Sequence, residues 1–265
     1  ADVAESASRE ESKMNLSPMR TNQTPRTLSP SRGFVVFAAS LIAATVSGSA
    51  FSQSSSVRLW GDNSSNQCTA IPAALTNPTR ITGGNYHTIA LDASGTVFCW
   101  GRNTDGQSNV PAAIGVVQAI AGGSYHSVAL KADGTVACWG PTGAFNSISN
   151  PNQFNQCAVP AGLTGVTAIT AGWKHTLALK SDGTLVGWGT NDSGQLTTPG
   201  DVGVVAKIAA GSRHNLVLRT NGTVRAWGRN VELQAPSLLS YTNVTAIAAG
   251  ASHSIALIAD GTLRC

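Results

Sequence analysis

The pattern of apolar and polar positions along the chain predicts short β-strands separated by tight turns. The stretch VVQAIAGGSYHSVALKADGTVACWG, which ends at Gly140, contains three such apolar runs. Asp133-Gly134 lies between the second run and the third, and this pair favours a type I′ hairpin turn. Ala129 and Leu130 point to opposite faces of the middle strand although both are apolar. We therefore expect a sheet that is covered on both sides.

This stretch is one copy of a tandem repeat. The five histidines of the chain are spaced by 39, 49, 39 and 39 residues, and three other markers keep the same register. The longer interval places a ten-residue insertion between Trp139 and Gln156. A period of about 39 residues is typical of propellers and other repeat architectures. The markers are His87, His126, His175, His214 and His253; the hairpin glycines Gly95, Gly134, Gly183, Gly222 and Gly261; the Trp-Gly tryptophans Trp60, Trp100, Trp139, Trp188 and Trp227; and the loop glutamines Gln67, Gln107, Gln156, Gln195 and Gln234.

The shared pattern AIAxGxxHxxALxxDGTVxxWGxNxxGQ resembles the regulator of chromosome condensation repeat, from Val57 to Cys265. The compact spacing, with GQSNVPA and NQCAVPA, is most similar to secreted bacterial members such as the β-lactamase-inhibitory propeller. The resemblance implies an all-β, seven-bladed β-propeller, in which small sheets are repeated radially. Only about five repeats are present, and every earlier copy places Trp-Gly immediately after the position of Cys265. We therefore expect an incomplete propeller of about five blades, truncated at its C-terminus, with unpaired edge strands.

The N-terminal part of the chain has the composition of a targeting segment. No acidic residue occurs from Met14 to Gly61, and three arginines precede the apolar run GFVVFAASLIAATV. We predict an unassigned tail over residues 1–18, a secretory signal over 19–50 with cleavage after Ala50, and the propeller over 51–265. The alternative is a membrane anchor, but the run is shorter than the about 20 residues that span a bilayer. The expected location is the periplasm, the cell surface or the medium.

Charge and catalytic motifs exclude several classes of function. From residue 51 onward there are twelve Lys and Arg against nine Asp and Glu, a scattered net charge of +3 that predicts no nucleic-acid surface. Glu232 is the only glutamate in that part, and the aspartates lie mostly in hairpin turns and loops, so no carboxylate pair for glycoside hydrolysis stands out. Nucleophile-elbow, Walker and zinc-protease motifs are absent from the sequence. We predict no enzyme and no cofactor, and a lyase or hydrolase assembled from several blades stays the alternative.

The aligned histidines could suggest a metal ring, but each opens an apolar strand without a second ligand nearby in its repeat. We expect each ring to hydrogen-bond the neighbouring backbone, the glutamines to close their loops, and the tryptophans to pack between blades. Five cysteines in an exported protein leave two pairings open, Cys138 with Cys157 and Cys68 with Cys99. The alternative to both is buried free thiols.

The two residues before each histidine vary while the framework stays constant. Because strands alternate in direction, we expect this turn and the Asn-x-x-Gly-Gln loop on one face and the Asp-Gly hairpins on the other. Variable positions on a rigid scaffold suit recognition, and aromatic and arginine side chains dominate binding hot spots. The inserted loop, 141–156, should rise on the same face beside the predicted residues. The predicted partner-binding residues are Tyr86, Tyr125, Trp173, Lys174 and Arg213.

The sequence therefore predicts an exported, non-catalytic propeller that binds a protein or cell-surface partner through one face. The resemblance offers a second function, guanine-nucleotide exchange on a small Ran-type GTPase together with chromatin binding. That function needs a nuclear or cytosolic protein with a basic surface, and the signal pattern and weak charge argue against both. Ordinary surface variation is the alternative explanation of the variable pair.

Overall fold

The computed structural model describes residues 57–141, 154–236 and 241–265, all within one compact unit, Gly33–Cys265. The predicted signal segment and most of the inserted loop lie outside the described residues. The described regular structure is entirely β, and it includes no helix that could cross a membrane. The strands are β1 (Pro78–Gly83), β2 (His87–Asp92), β3 (Val97–Gly101), β4 (Val117–Gly122), β5 (Ser127–Lys131), β6 (Val136–Trp139), β7 (Val166–Ala171), β8 (His175–Lys180), β9 (Leu185–Gly189), β10 (Val205–Ala210), β11 (His214–Arg219), β12 (Val224–Gly228), β13 (Val244–Ala249), β14 (Ser254–Ile258) and β15 (Leu263–Arg264).

Successive strands form five antiparallel sheets of three strands each. In every sheet the middle strand pairs with both neighbours, as in the order β4-β5-β6. In the three central blades the middle strand is apolar on both faces because the sheet packs between the sheets of adjacent repeats. Val128, Ala129 and Leu130 of the second blade are accordingly at most 1% exposed. This arrangement confirms the all-β propeller architecture with one blade per repeat.

The five blades follow one another as an arc. The middle strand of each blade contacts the first strand of the next, through β2 and β4, β5 and β7, β8 and β10, and β11 and β13. Within the described residues no comparable contact joins the fifth blade to the first. Leu263 in the last strand is consequently 65% exposed. The incomplete propeller that the repeat count predicts is what these residues form.

The hairpin between the second and third strands is not the predicted type I′ turn. That turn needs a positive φ at both central residues, whereas Gly134 (φ 76°) has one and Asp133 does not. The Gly134 N–H donates to Lys131 O (3.0 Å) and the Lys131 N–H donates to Thr135 O (2.9 Å). These bonds define a three-residue loop, a type I turn followed by a left-handed glycine. The aspartate is selected because its carboxylate accepts hydrogen bonds from the Thr135 N–H (2.9 Å) and hydroxyl (2.6 Å).

Four of the five framework histidines contact a side chain of the next blade, so the predicted bond to backbone is wrong for His87, His126, His175 and His214. His87 Nε2 lies 2.9 Å from Ser127 Oγ of the next blade. Because the Ser127 hydroxyl donates to Gln107 O (2.8 Å), it accepts the hydrogen of His87 Nε2. The same relay runs from His175 through Asn215, whose Oδ1 is 2.9 Å from the ring and whose amide nitrogen donates to the carbonyl of Gln195 (2.7 Å). The histidine position thus fixes each blade to its successor.

The loop carbonyl that ends this relay also accepts a hydrogen bond from a framework tryptophan. Trp188 Nε1 donates to Gln156 O (2.9 Å), and Trp227 Nε1 donates to Gln195 O (3.0 Å). The glutamine side chain closes its own loop, as predicted, since Gln195 Oε1 accepts from the Ser193 N–H (2.8 Å). At the contacts that involve Gln156 and Gln195, histidine, glutamine and tryptophan therefore form one hydrogen-bonded unit, whereas the buried Trp139 Nε1 has no hydrogen-bond partner.

One of the two predicted disulfides is present. Cys138 and Cys157 are bonded, with 5.1 Å between their Cα atoms, whereas Cys68 and Cys99 are free. The Cys68–Cys99 prediction fails because the Cys99 thiol points to the next loop, where its Sγ lies 3.4 Å from Gln107 O. Cys68 belongs to the loop that precedes its own blade. A cysteine that precedes the Trp-Gly pair therefore faces the next loop along the chain: Cys138 is bonded to Cys157, which follows Gln156, and Cys99 lies near Gln107.

Candidate partner-binding surface

The turn before each histidine lies at the same edge as the segment that follows Trp-Gly. The N–H groups of Arg102 and Thr190 each donate to a pre-histidine residue, Tyr86 O (2.8 Å) and Lys174 O (2.8 Å). The Asp-Gly hairpins lie at the opposite end of the middle strand. This arrangement agrees with the predicted division of loops between two edges.

The glycine of Trp-Gly is required for this close approach. Gly101 has φ 101°, and a Cβ there would lie 2.6 Å from Tyr86 O. A side chain would therefore separate the two loops as well as strain the backbone. At the pre-histidine edge, the path of the backbone is therefore the same from blade to blade, and only the side chains vary.

Arg102 connects the two predicted tyrosines. Its guanidinium carbon lies 5.6 Å from the centre of the Tyr86 ring and 5.7 Å from the centre of the Tyr125 ring, within cation–π range. Arg102 Nε donates to Thr104 Oγ1 (2.7 Å), and its Nη2 lies 3.4 Å from Asp105 Oδ2. These contacts hold two aromatic rings from neighbouring blades in one arrangement.

Trp173 is the centre of a second group. The Lys174 ammonium lies 4.4 Å from its ring centre, and the Arg213 guanidinium lies 4.5 Å from it. Lys174 Nζ also lies 3.3 Å from the centre of the Phe154 ring. Asp192 partly balances this charge, since its Oδ2 lies 3.9 Å from Arg213 Nη1. Partial burial, and then the neighbouring arginine, lowers the pKa of Lys174.

The structure thus brings the five predicted residues to one edge, as two groups. Tyr86 and Tyr125 form the first group, and Trp173, Lys174 and Arg213 form the second; all five are half-buried. Adjacent pre-histidine turns run close together across the edge. The Trp173 N–H, for example, donates to Ser212 O (3.0 Å) of the next blade. None of the five is buried between blades, and their role in binding a partner stays a prediction.

Sequence reasoning missed Arg102 and Phe154, which complete the two groups. The signal for Arg102 was available, because the residue after Trp-Gly also varies from copy to copy (Asp62, Arg102, Pro141, Thr190 and Arg229). Phe154 belongs to the predicted inserted loop. Residues 142–153 of that loop lie outside the described residues, and its described end packs against Lys174.

Three framework histidine rings are neutral at physiological pH. Burial lowers the pKa of His87 and His214 to about 4 and that of His126 to about 3. Their Nε2 atoms contact the next blade, and their Nδ1 atoms are buried without a hydrogen-bond partner. Among the described residues, no three side chains of the His, Cys, Asp and Glu types are placed to hold a metal ion.

The inner strands border a cavity of about 470 Å³. Its walls carry small and aliphatic residues such as Ile120, Ile169 and Ile208, and its lining reaches Ser124 and Trp173 of the pre-histidine turns. Its lining includes no titratable side chain.

Comparison with known proteins identifies the repeat. Four segments match the family described as the regulator of chromosome condensation (RCC1) repeat: 79–107, 117–140, 166–195 and 205–234. No curated protein sequence matches the chain significantly.

Solved propeller structures resemble the chain at low identity. Human WBSCR16 is 23% identical with a TM-score of 0.56, over 70% of this chain and 60% of its own. The ectodomain of the Physcomitrella patens receptor kinase CR4 is 23% identical with a TM-score of 0.57, over 77% of this chain and 54% of its own. Prp20p from Saccharomyces cerevisiae is 19% identical with a TM-score of 0.51, over 70% of each chain. The chain thus spans little more than half the length of the first two, and these identities establish the fold alone. With the four matched repeats and the five blades, the chain is an RCC1-repeat β-propeller.

Proposed function

We propose that the protein is an exported, non-catalytic binding module that holds a protein or cell-surface partner on its pre-histidine surface. This surface comprises Tyr86, Tyr125, Trp173, Lys174 and Arg213. One observation carries the proposal: the variable residues form ordered aromatic–cation groups on a repeated, hydrogen-bonded frame. Tyrosine, tryptophan and arginine are the side chains that most often dominate binding energy.

These aromatic–cation groups are held in place before a partner binds, which favours binding because less side-chain conformational entropy is lost in the complex. Arg102 is already fixed between two tyrosine rings and by Asp105. The backbone beneath is held by the histidine relays, in which every connected side chain is buried or half-buried. A rigid scaffold with variable aromatic residues at one edge is the arrangement that recognition loops use.

Two observations support export. The segment 19–50 has the charge and length pattern of a secretory signal. The disulfide between Cys138 and Cys157 is of the kind found in oxidising compartments, since cytosolic thiols are generally kept reduced, and it therefore favours export.

Prp20p from Saccharomyces cerevisiae is a structural neighbour that is described with its binding properties to Gsp1p and histones. At 19% identity this likeness extends to the fold alone. The net charge of +3 over residues 51–265 does not favour chromatin. Nucleotide exchange is therefore not the function that we propose.

The test compares a Trp173→Ala, Tyr125→Ala double variant with a control variant, Val116→Ala, at the opposite edge. Each chain is immobilised and exposed to the surface and secreted proteins of the producing cells, and bound proteins are quantified by mass spectrometry. Loss of one hot spot costs at least about 2 kcal/mol, so a true partner should bind the double variant about 30-fold more weakly. Equal recovery on both variants would contradict the proposal.

A further inference from the structure

One loop of the edge departs from the repeat in a way that the fold does not need. In the four copies of the Asn-x-x-Gly-Gln loop whose asparagine is described, the asparagine and glutamine fix the backbone. Asn230 Oδ1 accepts from the Ala235 N–H (2.8 Å), and Gln234 Oε1 accepts from the Glu232 N–H (2.9 Å). Asn191 Oδ1 accepts the equivalent bond from the Leu196 N–H (2.7 Å). The loop therefore follows the same path in these copies whatever its variable residues are.

That path requires a left-handed residue at the fourth position. Leu233 occupies it with φ 58°, although a leucine gains nothing from this conformation. The other copies use residues that tolerate it. They are Asn66 (φ 61°), Gly106 (φ 78°), Asn155 (φ 56°) and Gly194 (φ 75°).

The leucine is not compensated by burial. Leu233 is 75% exposed, and Val231 two residues earlier is 78% exposed. At the position of Val231 the other copies carry polar residues: Ser64, Thr104, Gln153 and Asp192. A strained, exposed aliphatic residue next to a second exposed aliphatic residue indicates a role outside the fold.

The loop lies beside the second group of the pre-histidine surface. The Arg229 N–H donates to Arg213 O (2.9 Å), which places the two segments in contact. The intervening Glu232 is balanced within the loop, since its carboxylate lies 2.7 Å from Arg229 Nη2 and accepts from Gln234 Nε2 (2.8 Å). Its pKa is lowered to about 2, mainly by the arginine. The loop therefore presents two apolar side chains with no unbalanced charge of its own.

We propose that the loop Asn230–Gln234, named here the apolar loop, is the anchor of the pre-histidine surface and inserts Val231 and Leu233 into an apolar pocket of a folded protein partner. The inference rests on the proposed function and names the partner's chemistry. Among the described residues, the acidic group paired with Lys174 and Arg213 is Asp192, which leaves a net positive charge there, so the rim of the partner's pocket is acidic on that side. A bilayer is the poorer occupant, because the Arg229–Glu232 ion pair would have to enter it together with the apolar side chains.

The first arm of the test measures whether the Leu233 side chain contributes to the thermal stability of the protein. Leu233→Asn introduces the residue that Asn66 and Asn155 already provide at this position. We expect the thermal midpoint to stay equal to that of the unaltered chain or to rise by about 2–4 °C, because left-handed strain is removed. A lower midpoint would show that Leu233 serves packing, and this result would overturn the inference.

The second arm measures binding with the full chain carrying the photo-crosslinker p-benzoylphenylalanine at position 231. Position 204 is the control, since Val204 is 66% exposed at the opposite edge. The probe is irradiated in extract of the producing cells, with unlabelled competitor chains added. We expect a discrete adduct at 231 only, and a competitor with Val231→Ser and Leu233→Asn should be at least about tenfold weaker than the unaltered chain. Val204→Ser should compete fully.

The competitors separate failure of this inference from failure of the proposed function. If the apolar-loop variant competes fully and the Trp173→Ala, Tyr125→Ala variant does not, the surface binds a partner without the loop as anchor. If the loop variant fails and the aromatic variant competes fully, the loop is an anchor and the aromatic groups are not. No adduct at 231, an equal adduct at 204, or sedimentation of the chain with phosphatidylcholine–phosphatidylglycerol vesicles would overturn the protein-pocket proposal.

Discussion

Ser108 occupies the repeat position of Cys157, and a cysteine there should form a second disulfide. Cys138 faces the next loop, with its Sγ 3.5 Å from Gln156 O, and it is bonded to the residue that follows that glutamine. Cys99 has the same environment, with its Sγ 3.4 Å from Gln107 O. The residue that follows Gln107 is Ser108. Ser108→Cys therefore places a thiol beside Cys99 in the arrangement that Cys138 and Cys157 have in the next repeat, where they are bonded.

The expected gain in stability follows from the length of the closed loop. A disulfide from residue 99 to residue 108 closes ten residues, which in the chain-entropy description stabilises by about 2.5–3 kcal/mol. The substitution removes the hydrogen bond from the Ser108 hydroxyl to Arg102 O (2.9 Å). Such a bond contributes about 1 kcal/mol, so the net gain is about 1.5–2 kcal/mol.

Thiol counting and urea unfolding test this prediction together. The described chain has three free cysteines, Cys68, Cys99 and Cys265. The Ser108→Cys protein should show two free thiols, because one new cysteine and Cys99 are consumed. Its urea midpoint should exceed that of a Cys99→Ala, Ser108→Cys control, which carries the new residue without a partner.

The burial of Cys99 raises the pKa of its thiol to about 11, so the bond should form during folding or with an added oxidant rather than by slow air oxidation of the native protein. Four free thiols after oxidative refolding, or a stabilisation that survives reduction, would refute the equivalence of the two blade contacts.

Three other outcomes are expected. His175→Phe should lower the free energy of unfolding by about 2–3 kcal/mol in urea, since Asn215 Oδ1 loses its buried donor; a change below about 0.5 kcal/mol would contradict the relay. Burial lowers the pKa values of His87 and His126 to about 4 and about 3, so these rings take up protons at higher pH in the unfolded chain than in the folded one, and stability that is full above pH 6.5 should fall as the pH drops from 6.5 to about 3. A flat pH profile over that range would contradict the burial of neutral rings. Export predicts a mature chain that begins at Phe51, read by mass spectrometry of the cell-surface or secreted fraction; an intact chain in the cytosol would exclude it.

The spacing of markers was enough to predict the blades, because each blade buries a fixed set of positions that must recur. Val128 and Leu130 follow a histidine by two and four residues, and their counterparts in the other copies are apolar too. The bonds between blades were not predictable in the same way. The partner of His87 is Ser127, 40 residues later, while the partner of His175 is an asparagine. A position filled by serine, threonine or asparagine carries no obvious pattern, although all three can accept from Nε2.

Two local errors have a related cause. Asp133-Gly134 was assigned to a type I′ turn from the pair alone, but the turn type depends on loop length, which Lys131 and Thr135 set by their backbone bonds. The open pairing of Cys68 with Cys99 was expected to link consecutive repeats, but the Cys99 thiol faces the loop that follows its own blade, at Gln107 O. The repeat shows which positions are equivalent. It does not show which blade a given loop contacts, and that contact decides the cysteine pairing.

The hydrogen bonds at the two edges of the blades explain why sequence variation concentrates at the pre-histidine edge. At the hairpin edge, residues such as Asp133 are committed to bonds within the turn, so their replacement affects folding. At the pre-histidine edge, the backbone is fixed by Gly101 and by the bond from the Arg102 N–H to Tyr86 O, and these constraints leave the side chains unspecified. Tyr86 and its counterparts can then change without disturbing the blade. Selection for partner binding can therefore change side chains that the fold does not require. At Leu233 such selection would retain a leucine although its left-handed backbone conformation is unfavourable for that residue.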